Sequence, residues 1–222
     1  MKAIFYKEWI KTRWMIVVSF LIASGFLFYL LLNLFRVIDL KGAVHIWDVM
    51  IQRDALFVDL FKYVPLFIGV ILGITQYTPE MYHKCLKLTL HLPVSSTRIV
   101  MAMLGFGYTI LLFLFGSCMM ILYLGLSSIL PLELTRHILL TASVWCLAGL
   151  AGYVLTAWIT LEPTWKRRIL NGIACFFLIR IFFLESAGEA YNHFLPTLIF
   201  FILCSSSFIF LSVSRFKEGK QD

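Results

Sequence analysis

The chain has 222 residues, of which 61% are hydrophobic and 14% charged, with a mean hydropathy of +0.90 and 21 phenylalanines. Soluble domains hold roughly 45–50% apolar and 25% charged residues, so this balance excludes an ordinary soluble domain and predicts an all-α integral membrane protein. The net charge of +7 gathers in short segments between apolar runs, which points to membrane topology and anionic lipid headgroups and gives no support for nucleic-acid binding.

Residues 1–13 carry Lys2, Lys7, Lys11 and Arg13, with Ile4, Phe5, Glu8 and Trp9 sharing a side with Thr12. This pattern predicts an interfacial helix, apolar face in lipid and basic groups toward phosphate. The apolar run over 14–35 is long enough to cross a bilayer. Its length, and Glu8 in the polar stretch before it, predict a retained first span rather than the shorter apolar region of a secretory leader. In 36–62, Ile46, Trp47, Met50, Ile51, Phe57, Val58 and Phe61 recur at helical spacing and predict a second interfacial helix outside. The second span is expected over about 56–77.

Residues 80–98 are polar and basic, although a tight turn would suffice to join the runs on either side. As a helix they would cover roughly 28 Å. Tyr82, Cys85, Leu86 and Leu90 fall near one stripe, Lys84 and Lys87 fall off it, and Pro93 would stop the helix. The stripe predicts a protein surface to pack on. Spans at about 99–124, 138–161, 169–184 and 195–213 complete six, and the short inner loop between the fourth and fifth holds Glu162, Trp165, Lys166, Arg167 and Arg168. Small residues at 148–152 and at Gly105 and Gly107 permit close helix approach within the bundle.

Arg180 stands inside the predicted fifth span, about 16 Å from its start at Ile169. An arginine at that depth needs a partner or water. Glu185 and Glu189 follow closely, so Arg180, Glu185 and Glu189 are candidates for the transport path or an outer gate, with a snorkelling arginine as the plain alternative.

Orientation follows from the basic residues. With the N-terminus inside, thirteen of them fall in inner segments, and only Arg36, Lys41, Arg53, Lys62 and Arg136 fall outside. The excess predicts a multi-pass protein of the cytoplasmic membrane with both termini cytoplasmic. The whole of 1–222 reads as a single transmembrane domain, since no linker, low-complexity tract or convincing repeat interrupts it.

Catalytic motifs are wanting. There is no GxSxG, no HExxH and no phosphate-cradling GxxxxGK[ST], so any nucleotide energy must come from another chain. Cys85, Cys118, Cys146, Cys175 and Cys204 are scattered and read as packing residues. The outer acids Asp39, Asp48, Asp54, Asp59, Glu185 and Glu189, with His45, His137 and His193, include no two histidines at the i, i+4 spacing of zinc enzymes and read as solvated charges at the membrane surface, so no metal site is expected.

The order of a basic N-terminal helix containing Lys7-Glu8-Trp9, two spans, a Glu80-led basic segment running into Leu92-Pro93-Val94-Ser95, and Arg98 before the third span resembles the permease subunit of the type 2 ABC transporters, a class of exporter. The likeness in layout covers most of the chain, and the likeness in motif about 35 residues. A lysine often present just after the arginine in that family is missing, where Ile99-Val100-Met101-Ala102-Met103 stands instead. The resemblance implies six spans, short re-entrant helices between the last two, and a coupling helix seated in a cytoplasmic ABC ATPase subunit. It also implies a second permease copy or paralogue, surrounding membrane lipids, no cofactor bound by this chain, and ATP and Mg held by the ATPase. On that basis Glu80, Tyr82, Lys84, Leu86, Lys87, Leu90, Pro93 and Arg98 are expected at the ATPase contact, with Trp165 and Lys166 in a second one. The alternative from another class is an ATP-independent membrane scaffold, or an intramembrane enzyme using the outer His and acid residues.

Overall fold

The computed structural model describes residues 2–41, 61–82, 95–128, 130–185 and 191–217. Among these, six α-helices follow one another: α1 (Lys2–Lys41), α2 (Val64–Tyr82), α3 (Ser96–Ser127), α4 (Leu132–Leu161), α5 (Trp165–Arg180) and α6 (Leu195–Lys217), with no strand. Two 3₁₀ turns, Ile181–Phe183 and Asn192–Phe194, lie between α5 and α6.

The helix ends have local causes. Pro65 sits in the first turn of α2, where its missing N–H leaves no bond unmade. Glu133 favours the positive end of α4, and Pro163 biases Glu162 to the extended backbone that stops it. Four helical segments are long and apolar enough to cross a membrane: residues 2–40, α3, α4, and 192–217. α2 carries Gln76, Pro79 and Glu80 in its second half, and α5 has only 16 residues, about 24 Å.

The break expected near Arg13 does not exist. α1 has 40 residues, about 60 Å of helix, with no proline to interrupt its hydrogen bonds. One buried stripe, Glu8, Thr12, Ser19, Ala23, Leu27, Leu30 and Leu34, runs along it from one end to the other. The face bearing Glu8 and Thr12 is therefore packed on protein rather than on lipid, while Trp9 on the neighbouring face is exposed. α1 extends to Lys41, and the rest of the expected outer helix, 42–60, lies outside the described residues.

α4 is the hub, packed against α2, α3, α5 and α6, while α1 lies against α2 and α3. The closest approach is between α2 and α4, where packing of small residues stands in for the hydrophobic drive that lipid removes. A Cβ on Gly69 would overlap the Gly149 carbonyl oxygen, one on Gly149 would meet Pro65 O and Phe115, and one on Gly152 would come 2.8 Å from Leu66 Cδ1. Gly107 lies under the ring of Tyr153, whereas Gly105 faces open space and makes no such approach.

α5 buries only Asn171 and Cys175 and leaves Ile169, Ile173, Phe176 and Phe177 exposed. It ends at Arg180, four residues before the predicted limit of its span. Arg180 is its exposed last residue, at the far end from Trp165. In place of re-entrant helices the described residues hold the two 3₁₀ turns. Tyr191 Oη clamps them together, donating to Ile181 O at 2.8 Å and accepting from the Leu184 and Glu185 amides at 3.1 and 3.2 Å.

Candidate functional site

Hydrogen bonds and ion pairs gather at one end of the bundle, where α1 begins, α2 ends, α3 begins and α4 and α6 end. Glu80, in the last turn of α2, is 1% exposed. Lys7 Nζ lies 2.8 Å and Lys11 Nζ 2.9 Å from its Oε1, across the α1–α2 contact. Lys11 also lies 2.8 Å from Glu8 Oε2 one turn back, a contact at ion-pair distance but without hydrogen-bond alignment, so the fully buried Glu8 carboxylate has a counter-charge and no aligned donor.

Unequal pairing sets the two buried carboxyls apart. For Glu8, loss of water outweighs Lys11 and raises the pKa, helped by the nearby Glu80 charge. For Glu80, burial pushes up as well, but the hydrogen bond from Lys7 and the charge and hydrogen bond of Lys11 together prevail and hold it below the usual carboxylate value. Charged groups this deep are stable only with such pairing, and the four form a nearly balanced set of two acids and two bases.

One turn before Glu80, Gln76 and Tyr77 face α3 and α4. Tyr153 Oη donates to Gln76 Oε1 at 2.9 Å, so its single hydrogen is used and Tyr77 Oη must be the donor in the 2.8 Å bond between the two phenols. Gln76 Nε2 in turn donates to Met103 O at 2.9 Å. This chain of bonds ties α2 to α3 and α4 directly behind the Glu80 cluster.

A second lock holds the loop between α4 and α5. Glu162, fully buried, accepts from Ser212 Oγ at 2.6 Å, and Arg215 Nη1 lies 3.4 Å from both its oxygens. Arg168 Nη2 donates to Glu162 O at 2.8 Å, and its guanidinium lies over Trp165 at 5.2 Å from the ring centre. The loop over 162–168 is thereby fastened to the end of α6.

Of the residues expected at an ATPase contact, Glu80 is buried, while Tyr82, Arg98, Trp165 and Lys166 are exposed at this same end. Lys84, Leu86, Lys87, Leu90 and Pro93 lie outside the described residues. Arg180 and Glu185 are exposed at the opposite end with no ion pair between them, and Glu189 lies outside the described residues. Among the described residues no group of three His, Cys, Asp or Glu converges as metal ligands would.

Sequence reasoning missed Gln76, Tyr77, Tyr153, Ser212 and Arg215. Gln76 had a usable signal, a lone amide in an apolar run; Ser212 and Arg215 share a helix face three residues apart but meet Glu162 only through the fold. Comparison of the chain with protein-family models, curated proteins and solved structures finds no match.

Proposed function

We propose that the chain is the permease subunit of an ABC exporter, moving a substrate across the cytoplasmic membrane on ATP hydrolysed by a separate cytoplasmic subunit. In this reading the protein has six spans, with the buried α2 and the short α5 counted among them, and both termini in the cytoplasm. It pairs with a second copy or a paralogue. The observation that carries the reading is Glu80. A solvated connecting loop has no need to bury its first acid, yet this one is held by two lysines of another helix and backed by the Tyr77–Tyr153–Gln76 bonds. A push on the segment after Glu80 would thus be delivered to α1, α2 and α4 together rather than lost in one flexible joint. Substrate and ATPase supply the rest of the machinery; this chain supplies the path and the coupling contact.

Two measurements test this. Purified from its source, the chain should bring with it an ATPase that carries a P-loop, and alone it should hydrolyse no ATP; robust hydrolysis by the isolated chain overturns the reading. Leu86→Asp or Leu90→Asp would place an unpaired charge in a desolvated contact at a cost of several kcal/mol. ATPase association should fall while membrane insertion is unchanged. Association and transport retained in both variants reject the docking role.

A further inference from the structure

Between the end of α2, the end of α4 and the start of α5 opens a groove of about 290 Å³, lined by Thr78, Met81, Tyr82, Ile159, Thr160 and Arg168. Its chemistry is one-sided. Arg168 is the only charged residue lining it, and the acids nearby are already engaged: Glu80 by Lys7 and Lys11, Glu162 by Ser212 and Arg215. Arg168 holds only the backbone oxygen of Glu162, its Nε is buried without a hydrogen-bond partner, and no carboxylate pairs with it among the described residues. Met81 and Ile159 give the groove an apolar wall, and Thr78 is exposed on its lining. Directly after Arg168, α5 presents exposed apolar residues, beginning with Ile169 and Leu170.

We propose that this groove is a binding site for an anionic phospholipid of the inner leaflet. The guanidinium and the Thr78 hydroxyl donate to the phosphate oxygens, and Met81 and Ile159 take the glycerol and the first methylenes, whose chains continue along the apolar side of α5. A zwitterionic headgroup brings its own cation close to Arg168 and is disfavoured. A free phosphate finds the cation but gains nothing from the apolar wall. Charge complementarity and the place of the groove beside the basic 166–168 run single out a lipid from other anions. The site rests on the inner placement of that loop proposed above, which labelling of Lys166→Cys from the two sides of the membrane tests separately.

The experiment is lipid retention by the purified full chain, read by native mass spectrometry and by thermal shift. Phosphatidylglycerol, phosphatidylcholine and inorganic phosphate are the three probes. Phosphatidylglycerol should be retained and raise the unfolding midpoint, phosphatidylcholine and phosphate should not, and Arg168→Ala should weaken phosphatidylglycerol about tenfold or more, as for loss of a charged hydrogen bond. Because Arg168 also supports the 162–168 loop, Thr78→Trp is the second variant: it fills the groove from an exposed position, leaves Arg168 and Glu162 untouched, and should abolish retention. Equal retention of the two lipids, retention unchanged in both variants, or phosphate stabilising as well as the lipid would each overturn the site. ATPase co-purification, measured on the same samples, stays independent of these outcomes, so the lipid site can fail with the coupling reading intact and the reverse.

Discussion

Replacing Glu80 by Gln removes the charge that Lys7 and Lys11 share while keeping the shape of the side chain. Breaking a buried ion pair from one side costs about 3–5 kcal/mol. Two features reduce that here: Lys7 is 39% exposed and can regain water, and Lys11, 17% exposed, keeps Glu8. The expected loss is therefore about 2–3 kcal/mol, which for a chain of this size lowers the unfolding midpoint by about 4–12 °C. Thermal unfolding in detergent, compared with Lys7→Ala, Lys11→Ala and the combined variants, isolates the pairing term. Losses that simply add in the combined variants would refute the claim that these lysines, rather than the bulk of Glu80, hold the joint.

The sign with pH follows from the same geometry. Glu80 is held below the usual carboxylate value in the folded protein, so its contribution is fully present above the ordinary carboxylate pKa and is lost as pH falls through the lower folded value. Glu8 has the opposite sign: its folded value is raised by burial, so the cost of charging it grows as pH climbs from the ordinary value through the raised one.

Four further outcomes follow. Glu8→Gln should leave the midpoint at neutral pH unchanged or higher, because it removes a buried charge that lacks an aligned donor while Lys11 keeps Glu80; a large drop in thermal unfolding contradicts this. Tyr153→Phe takes the donor from Gln76 Oε1 and the acceptor from Tyr77, for a loss of about 1–3 kcal/mol in the same assay. Gly69→Val should disrupt the bundle because its side chain runs into the Gly149 backbone, while Gly105→Ala, with nothing within 4 Å, should be neutral in folded yield. Arg180→Leu should reduce transport at normal expression if the guanidinium serves the path or gate, and leave it whole if the residue only reaches for water at the helix end.

The class and most helix positions were legible because hydropathy in a membrane is a coarse signal: runs of twenty apolar residues leave few alternatives. α3, α4 and α6 contain their predicted spans, exceeding them at one end or both by up to six residues. α1 was misread at Arg13, since a change from basic to apolar residues marks a change of surroundings and not of backbone. Nothing in the chain at that point disfavours helix. The end of α5 was placed at Leu184 for the related reason that apolar composition continues through Ile181, Phe182 and Phe183 while the α-helix stops at Arg180. Of the site, Glu80 and Glu162 were singled out by the loops they head, but their partners were not. Lys7 is 73 residues from Glu80 and Arg215 is 53 from Glu162, and no local pattern encodes such a meeting.

Continuity of α1 changes what the Glu80 cluster can do. Were residues 1–13 a separate helix lying flat in the headgroups, a joint at Arg13 would absorb any displacement of Glu80 before it reached the spans. As built, Lys7 and Lys11 belong to the same unbroken helix as Ala23, Leu27, Leu30 and Leu34, which are buried further along it. A helix of that length bends gently unless proline or a similar defect kinks it, and α1 has no proline. Displacement at the end bearing Lys7 and Lys11 must therefore tilt or slide the whole of α1 against α3, where Phe5 meets Phe106 edge-on at 5.6 Å and Leu31 crosses Gly125. The same displacement reaches α4 through Tyr77 and Tyr153, on a helix whose close contact with α2 leaves no room for independent sliding. Two routes thus leave one buried carboxylate, and both end in the packed faces of the bundle, as the proposed coupling role requires.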